Sequence, residues 1–145
     1  VRNDLSITAK SASVKVEKLC GVYTFSHVHQ MISTISSTLN EENNFVDVLS
    51  TTFPMGSMTG APKIKAMQLI EKYEESKRDV YSGSVGYITP KGDFDFNVII
   101  RSLLYDSQKK HLSFTVGGAI VSKSEAINEY EECLIKAKPI FQIFS

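Results

Sequence analysis

Residues 53–63 read Phe53-Pro54-Met55-Gly56-Ser57-Met58-Thr59-Gly60-Ala61-Pro62-Lys63, a stretch of glycines and hydroxyl side chains that leads into a helical pattern. Gly56 and Gly60 let a ligand come close to the backbone. Pro62 suits the first helical position, where a missing N–H has no partner to lose. The free N–H groups of that first turn and the helix dipole favour an anion. The same composition is also typical of an ordinary capped helix, so these residues alone leave both interpretations open.

Apolar spacing around this stretch predicts a helix on each side of it. Asn44 can cap the first helix, whose apolar side holds Phe45, Val48, Leu49 and Phe53. The second helix runs from about Pro62 to Tyr73 and has an apolar stripe at Ile64, Met67 and Ile70, while Lys63, Lys65 and Lys72 face elsewhere. Further upstream, Val14 and Val16 alternate with charged residues, which predicts a short strand.

The second half of the chain predicts three strands and one more helix. The strands cover residues 81–88, 94–101 and 111–116, and the polar turns between them indicate an antiparallel meander. Alternation in the middle strand places Arg101 on the face of Asp95 and Asn97. Ser122 and Glu125 have the spacing of a capping box at the start of the helix. Its apolar stripe holds Ile127, Tyr130, Leu134 and Ala137.

Length and composition restrict the class of protein. The 145 residues are 42% hydrophobic, in the range of one globular domain that buries a core. Sixteen basic residues balance sixteen acidic ones, which argues against a nucleic-acid partner or an anionic membrane surface. No apolar run could cross a bilayer and no signal-peptide pattern begins the sequence, so we expect a cytoplasmic protein with Cys20 and Cys133 reduced.

Charged side chains in the second half each have two interpretations. Glu129 and Glu132 lie three residues apart, so their carboxylates can converge on a hard cation. They can equally form a solvated helix face, with Lys136 as an ion-pair partner of Glu132. Arg101 can be an ordinary exposed arginine or a planar fork that binds a carboxylate.

The eleven-residue stretch resembles the signature F-P-x-G-S-x-T-G-A-P-K of the chorismate-utilising enzymes, and most of all that of the component I branch of aminodeoxychorismate (para-aminobenzoate) synthases. Further landmarks of the family follow in the same order and cover essentially the whole chain. They are Arg2-Asn3-Asp4-Leu5, residues 28–35, residues 81–87, Asn97 with Ile100-Arg101, residues 117–120, and Glu129-Tyr130-Glu131-Glu132 with Lys136. Seven ordered matches are typical of membership rather than chance.

The resemblance implies an α+β fold of antiparallel sheets flanked by helices, with a strand near residues 28–38. It implies that residues 1–145 are the C-terminal portion of a chorismate-binding catalytic domain. The implied reaction converts chorismate and ammonia to 4-amino-4-deoxychorismate for folate synthesis, with Mg²⁺ as cofactor and a glutamine amidotransferase as partner. Anthranilate synthase component I is the alternative enzyme, although its signature more often reads G-T-x-S-G-A-P-K. A non-catalytic binding module on the same scaffold is an alternative of another class.

The resemblance also assigns roles to individual residues. It implies that Arg101 binds the enolpyruvyl carboxylate of chorismate and that the N–H groups of Gly117 and Gly118 bind the same ligand. It implies that Glu129 and Glu132 hold Mg²⁺, with Lys136 as a counter-charge. Ser57 matches a residue that touches the substrate, and Tyr81 matches one near the pocket.

Three departures from the family pattern limit these roles. Gln30 stands where relatives often have a histidine, so its role is substrate positioning, and the adjacent His29 is interpreted as structural. Ala119 replaces the third glycine of the turn at Gly117. The catalytic lysine and the remaining acidic metal ligands are expected before Val1, so we expect the chain alone to be inactive.

Overall fold

The computed structural model describes residues 1–25 and 29–144, and their contacts form two compact units, residues 1–75 and residues 76–145. The first unit contains α1 (Arg2–Thr8), β1 (Lys15–Thr24), β2 (His29–Ser36), α2 (Phe45–Thr52), a 3₁₀ turn (Gly56–Met58) and α3 (Lys63–Tyr73). The second contains β3 (Ser84–Ile88), β4 (Phe94–Val98), β5 (Leu104–Asp106), β6 (His111–Ser113) and α4 (Ala126–Phe141). Helices with small antiparallel sheets confirm the predicted α+β class.

In the first unit, β1 and β2 form an antiparallel pair that joins Lys15 to Ser36 at one end and Thr24 to His29 at the other. The strand predicted around Val14 and Val16 is therefore confirmed but is much longer than its valine alternation indicated. The strand predicted near residues 28–38 is confirmed as β2. Val28, its predicted first residue, lies outside the described residues.

The start of α2 confirms the cap predicted at Asn44. Its Oδ1 accepts a hydrogen bond from the N–H of Val46 at 2.8 Å. The Asn44 N–H in turn donates to Asp47 Oδ2 at 2.8 Å, which completes a capping box. Because both partners lie within three residues, this helix start is fixed by local sequence alone.

The segment between α2 and α3, residues 53–62, is called the signature loop below. A hydrogen bond from the Met58 N–H to the Met55 carbonyl, 2.9 Å long, closes its 3₁₀ turn. Gly60 has φ +150°, which few side chains tolerate, and a methyl group there would lie 3.1 Å from Ala66 Cβ. Pro62 is the N-cap of α3 and not its first residue. The predicted stripe of α3 is wrong at Ile64 and Met67, which are exposed.

The predicted three-stranded meander is wrong, because in the described residues β3 and β4 form one antiparallel pair and β5 and β6 form another. The middle strand ends at Val98, three residues earlier than predicted. The Ile100 N–H then bonds to the Val98 carbonyl in a tight turn, and Arg101 has φ +52°. Because the strand ends at Val98, the alternation that placed Arg101 beside Asn97 does not extend to Arg101.

The last helix, α4, begins later than predicted and is rotated about its axis. Its N-cap is Glu125, without a side-chain capping bond, so the capping box predicted from Ser122 is wrong. Ile127, Tyr130 and Leu134, three members of the predicted apolar stripe, are 69%, 64% and 47% exposed. Ala137, the fourth member, is buried as predicted, and the other partly or fully buried side chains belong to Glu129, Cys133, Lys136 and Ile140.

Few apolar side chains are fully buried in the described residues. Within the described residues, the apolar side chains that count as fully buried are those of Ala137 and Ile140. The accessible surface is 11546 Å², whereas two separate compact proteins of half this mass would together expose about 8,900 Å². Large apolar side chains are exposed in both units, for example Leu19 and Ile64 in the first and Ile120 and Ile127 in the second.

Candidate functional site

Six of the residues assigned by resemblance meet in the second unit, around the turn at Gly117 and Gly118. Lys136 extends from α4 and donates a hydrogen bond from Nζ to the Gly117 carbonyl at 3.0 Å. The same ammonium pairs with Glu132 Oε1 at 2.5 Å, so this ion pair ties α4 to the turn. Glu129 lies one helical turn earlier on the partly buried side.

The two glycines are needed for close approach and not for unusual backbone angles. Neither glycine has a positive φ, and Ala119 does not have one either. Alanine therefore fits at position 119 without left-handed backbone strain. A methyl group at Gly117 would lie 2.8 Å from Tyr81 Oη, and one at Gly118 would lie 3.1 Å from Glu129 Oε2. Because glycine has no side chain, Tyr81 and Glu129 can approach the turn closely.

The charges of this cluster favour a dication with an acidic ligand. Glu129 and Glu132 contribute two negative charges and Lys136 one positive charge, so the cluster has a formal charge of −1. Because Lys136 is partly buried and held by two acceptors, its ammonium is fixed at the turn. A dication between the carboxylates would leave net positive charge for a substrate carboxylate.

Gly117→Ala is expected to lower the free energy of unfolding by about 1–3 kcal/mol, because the added methyl overlaps the Tyr81 hydroxyl. Tyr81→Phe removes only that oxygen and is expected to cost less than about 1 kcal/mol. The double variant should recover to within about 0.5 kcal/mol of Tyr81→Phe, because the next atom of Tyr81 lies at an ordinary contact distance of 3.8 Å. Urea titration of the four proteins measures this cycle. If the two single losses of stability simply add in the double variant, the proposed contact between position 117 and the Tyr81 hydroxyl is wrong.

Arg101 lies outside β4, is exposed, and has the left-handed φ described above. Left-handed backbone costs roughly 1–2 kcal/mol for a residue other than glycine. Five other described residues that are not glycine also have a positive φ, among them Lys110, so this backbone conformation does not by itself distinguish Arg101.

The first unit holds the other two assigned residues, Ser57 and Gln30. Ser57 is exposed on the 3₁₀ turn of the signature loop, whereas Thr59 Oγ1 is used internally and donates to the Met55 carbonyl at 3.1 Å. Gln30 is exposed on β2, opposite Tyr23, and its Nε2 lies 3.4 Å from the Met31 carbonyl. The adjacent His29 Nδ1 lies 3.1 Å from Thr24 Oγ1, within the strand pair, which supports its structural role.

The sequence analysis missed the ion pair between Lys63 and Asp4. Lys63, predicted to lie off the apolar stripe of its helix, directs its Nζ to Asp4 Oδ2 at 3.0 Å. Burial opposes ionisation of Asp4, whereas the hydrogen bond and the positive charge of Lys63 favour it, and the pKa of Asp4 lies below its usual value. Both residues line a groove of about 610 Å³ beside Gly56, Gly60 and Pro62. The sequence contains one indication of this ion pair, which is that each residue lies in a family landmark.

Comparison with known proteins decides the family. A sequence model described as chorismate binding enzyme matches residues 1–142. The chain belongs to this family. The chorismate-binding chain is 38% identical over 143 residues to aminodeoxychorismate synthase of Streptomyces griseus, covering 99% of this chain and 20% of that protein. It is 39% identical over 141 residues to anthranilate synthase component 1 of Aquifex aeolicus, covering 97% and 28%.

The fold of the chorismate-binding chain also matches a solved structure. The crystal structure of anthranilate synthase component I from Streptococcus pneumoniae TIGR4 superposes with a TM-score of 0.79 at 37% identity. The match covers 94% of this chain and 31% of that one. The chain thus spans about a fifth to a third of the length of these relatives.

Glu129 and Glu132 are a donor set that fits magnesium, the metal implied by the resemblance. No group of three or more histidine, cysteine or acidic side chains comes together in the described ranges. Magnesium, however, is commonly held by one or two carboxylates together with waters and substrate oxygens. Glu129 and Glu132 supply two such carboxylates on one helix.

Among the described helices, none combines the length and the apolar character needed to cross a bilayer.

Proposed function

We propose that the protein containing this chain is component I of an aminodeoxychorismate synthase, which converts chorismate and ammonia to 4-amino-4-deoxychorismate and water. Overall identity does not separate the two candidate enzymes, since relatives named for each are 38% and 39% identical to the chain. The order of the hydroxyl residues carries the proposal. Ser57 followed by Thr59 matches the aminodeoxychorismate signature, and it is Ser57 that the loop exposes.

The cluster around Gly117 supports chorismate as the substrate. Chorismate is a dicarboxylate, and the N–H groups of a glycine turn, an ammonium and an arginine fork are groups that bind carboxylates. We assign Arg101 to the enolpyruvyl carboxylate and the turn at Gly117 to the same ligand. Lys136, already fixed by Glu132 and the Gly117 carbonyl, holds positive charge beside it.

We assign Glu129 and Glu132 as the residues that hold Mg²⁺ against a substrate carboxylate. The metal, when bound, supplies charge stabilisation as the hydroxyl leaves. Tyr81, packed against Gly117, limits the width of the turn. Gln30 and Ser57 have neutral side chains suited to substrate hydroxyls, and we assign them positioning and not acid-base roles. A glutamine amidotransferase is the proposed source of ammonia.

A product assay tests the proposal. The protein that carries this chain is incubated with chorismate, an ammonium salt and Mg²⁺, and products are followed by mass spectrometry while pyruvate is measured with lactate dehydrogenase. We expect 4-amino-4-deoxychorismate without pyruvate, because this reaction keeps the enolpyruvyl group. A sample without ammonium salt is the control.

Anthranilate synthase component I is the second candidate, favoured by the relative from Aquifex aeolicus and the structure from Streptococcus pneumoniae. Anthranilate with an equal amount of pyruvate would identify it and refute the first assignment. Chorismate binding without turnover in the presence of ammonium and Mg²⁺ would refute both and indicate a binding module.

A further inference from the structure

The signature loop is held at both ends by one side chain, Lys63. From the first position of α3, its Nζ donates to the Thr51 carbonyl at 3.4 Å and to the Thr52 carbonyl at 3.2 Å. These carbonyls belong to the last two residues of α2 and are among those that a helix end leaves without helical partners. One ammonium therefore satisfies the end of α2 and closes the ten-residue loop that follows it.

The third partner of Lys63 attaches the closed loop to α1. Asp4 is 7% exposed and its Oδ2 lies 3.0 Å from Lys63 Nζ. A charge buried to this extent is stable only with a paired counter-charge. The pair thus fixes the position of the Lys63 ammonium group. Because the same group bonds to the end of α2, it also sets the distance between α2 and α3.

We propose that Lys63 is the positioning residue of the signature loop: by joining Asp4 to the end of α2 it holds the loop closed and fixes the place of Ser57. Lys63 does not contact substrate in this assignment. Closing a flexible loop costs chain entropy, and removal of the clamp lets the loop open while the capped helix α2 remains. The role rests on the proposed function, because only there is Ser57 a substrate contact.

Hydrogen exchange in the intact protein tests the clamp without any substrate. Lys63→Met removes the ammonium and keeps the length of the side chain. We expect amide exchange in peptides covering residues 55–61 to be about tenfold faster, with β1 and β2 unchanged. Lys65→Met is the matched control, because Lys65 is an exposed lysine two positions along α3. Unchanged loop exchange in Lys63→Met would overturn the proposal whatever the enzyme's function.

A double-mutant cycle then tests positioning. We expect Lys63→Met to raise the chorismate KM by about tenfold with kcat changed less than about threefold, and to add nothing in a Ser57→Ala background. Equal effects in both backgrounds would overturn the link to Ser57. If wild type has no turnover, the proposed function fails, and hydrogen exchange still decides whether the clamp exists. If Lys63→Met does not fold, Asp4→Asn, which leaves both carbonyl contacts, must loosen the loop to a smaller extent or the proposal is wrong.

Discussion

Arg101→Lys is expected to lower chorismate turnover by about 10- to 100-fold, measured as kcat/KM in the intact enzyme. Lysine keeps the positive charge but has no planar fork, so it loses the paired hydrogen bonds to a carboxylate. Both residues have the same backbone requirements at φ +52°, so the free energy of unfolding should stay within about 0.5 kcal/mol. A loss of activity without a loss of stability indicates that Arg101 binds the substrate.

Arg101→Gly makes the test sharper because it separates the side chain from the backbone. Glycine accepts a positive φ without steric cost, so any loss of stability in this variant comes from the contacts of the arginine side chain, and we expect it to be less active than Arg101→Lys. Lys110 provides the matched control, since it is also exposed and has φ +50°, in the turn between β5 and β6. Lys110→Gly should leave activity unchanged. If melting temperature falls together with activity in Arg101→Lys, the arginine is a structural partner instead.

Local signals were predicted well from the sequence. Asn44 caps α2 with partners three residues away or closer, so its role depends on nothing else in the fold. The glutamates of α4 and Lys136 have fixed helical spacing, and their pairing follows from that spacing alone. The resemblance assigned Gly117, Glu132 and Lys136 individually, and these residues lie together in the structure. Their roles stay predictions.

Features that depend on distant contacts were not predicted. Helical periodicity indicated that Ile127, Tyr130 and Leu134 would be buried, but Lys136 bonds to the Gly117 carbonyl and turns a different face of α4 inward. The same applies to Lys63, whose partner Asp4 lies at the other end of its unit. Both contacts join residues that are far apart in the sequence, and helical periodicity carries no information about such partners.

Strand alternation failed at Arg101 for a related reason. Alternation assumes extended backbone, and the tight turn after Val98 ends that conformation. No glycine, proline or asparagine marks this turn in residues 98–101. The positive φ at Arg101 is therefore a property of the folded chain that residue types did not signal.

Glu132→Gln is expected to raise the magnesium concentration needed for half-maximal turnover by about tenfold or more. The amide keeps the shape of the side chain but not its charge, and a lost charged contact is worth about 1.5–3 kcal/mol. Glu131→Gln is the matched control: it makes the same change in net charge at the exposed neighbouring position on α4. If both variants shift the magnesium dependence equally, the effect comes from general charge and not from a ligand.

Lys136→Met separates a ligand role for Glu132 from its ion pair. This variant also breaks the pair between Glu132 and Lys136 but leaves both carboxylates in place. If Glu129 and Glu132 hold the metal, removal of the neighbouring positive charge should leave the magnesium requirement unchanged or lower it. The chorismate KM should rise, because a carboxylate partner at the Gly117 turn has been removed. If Lys136→Met raises the magnesium requirement as Glu132→Gln does, the ion pair alone explains the effect, and α4 returns to the interpretation of a solvated acidic face.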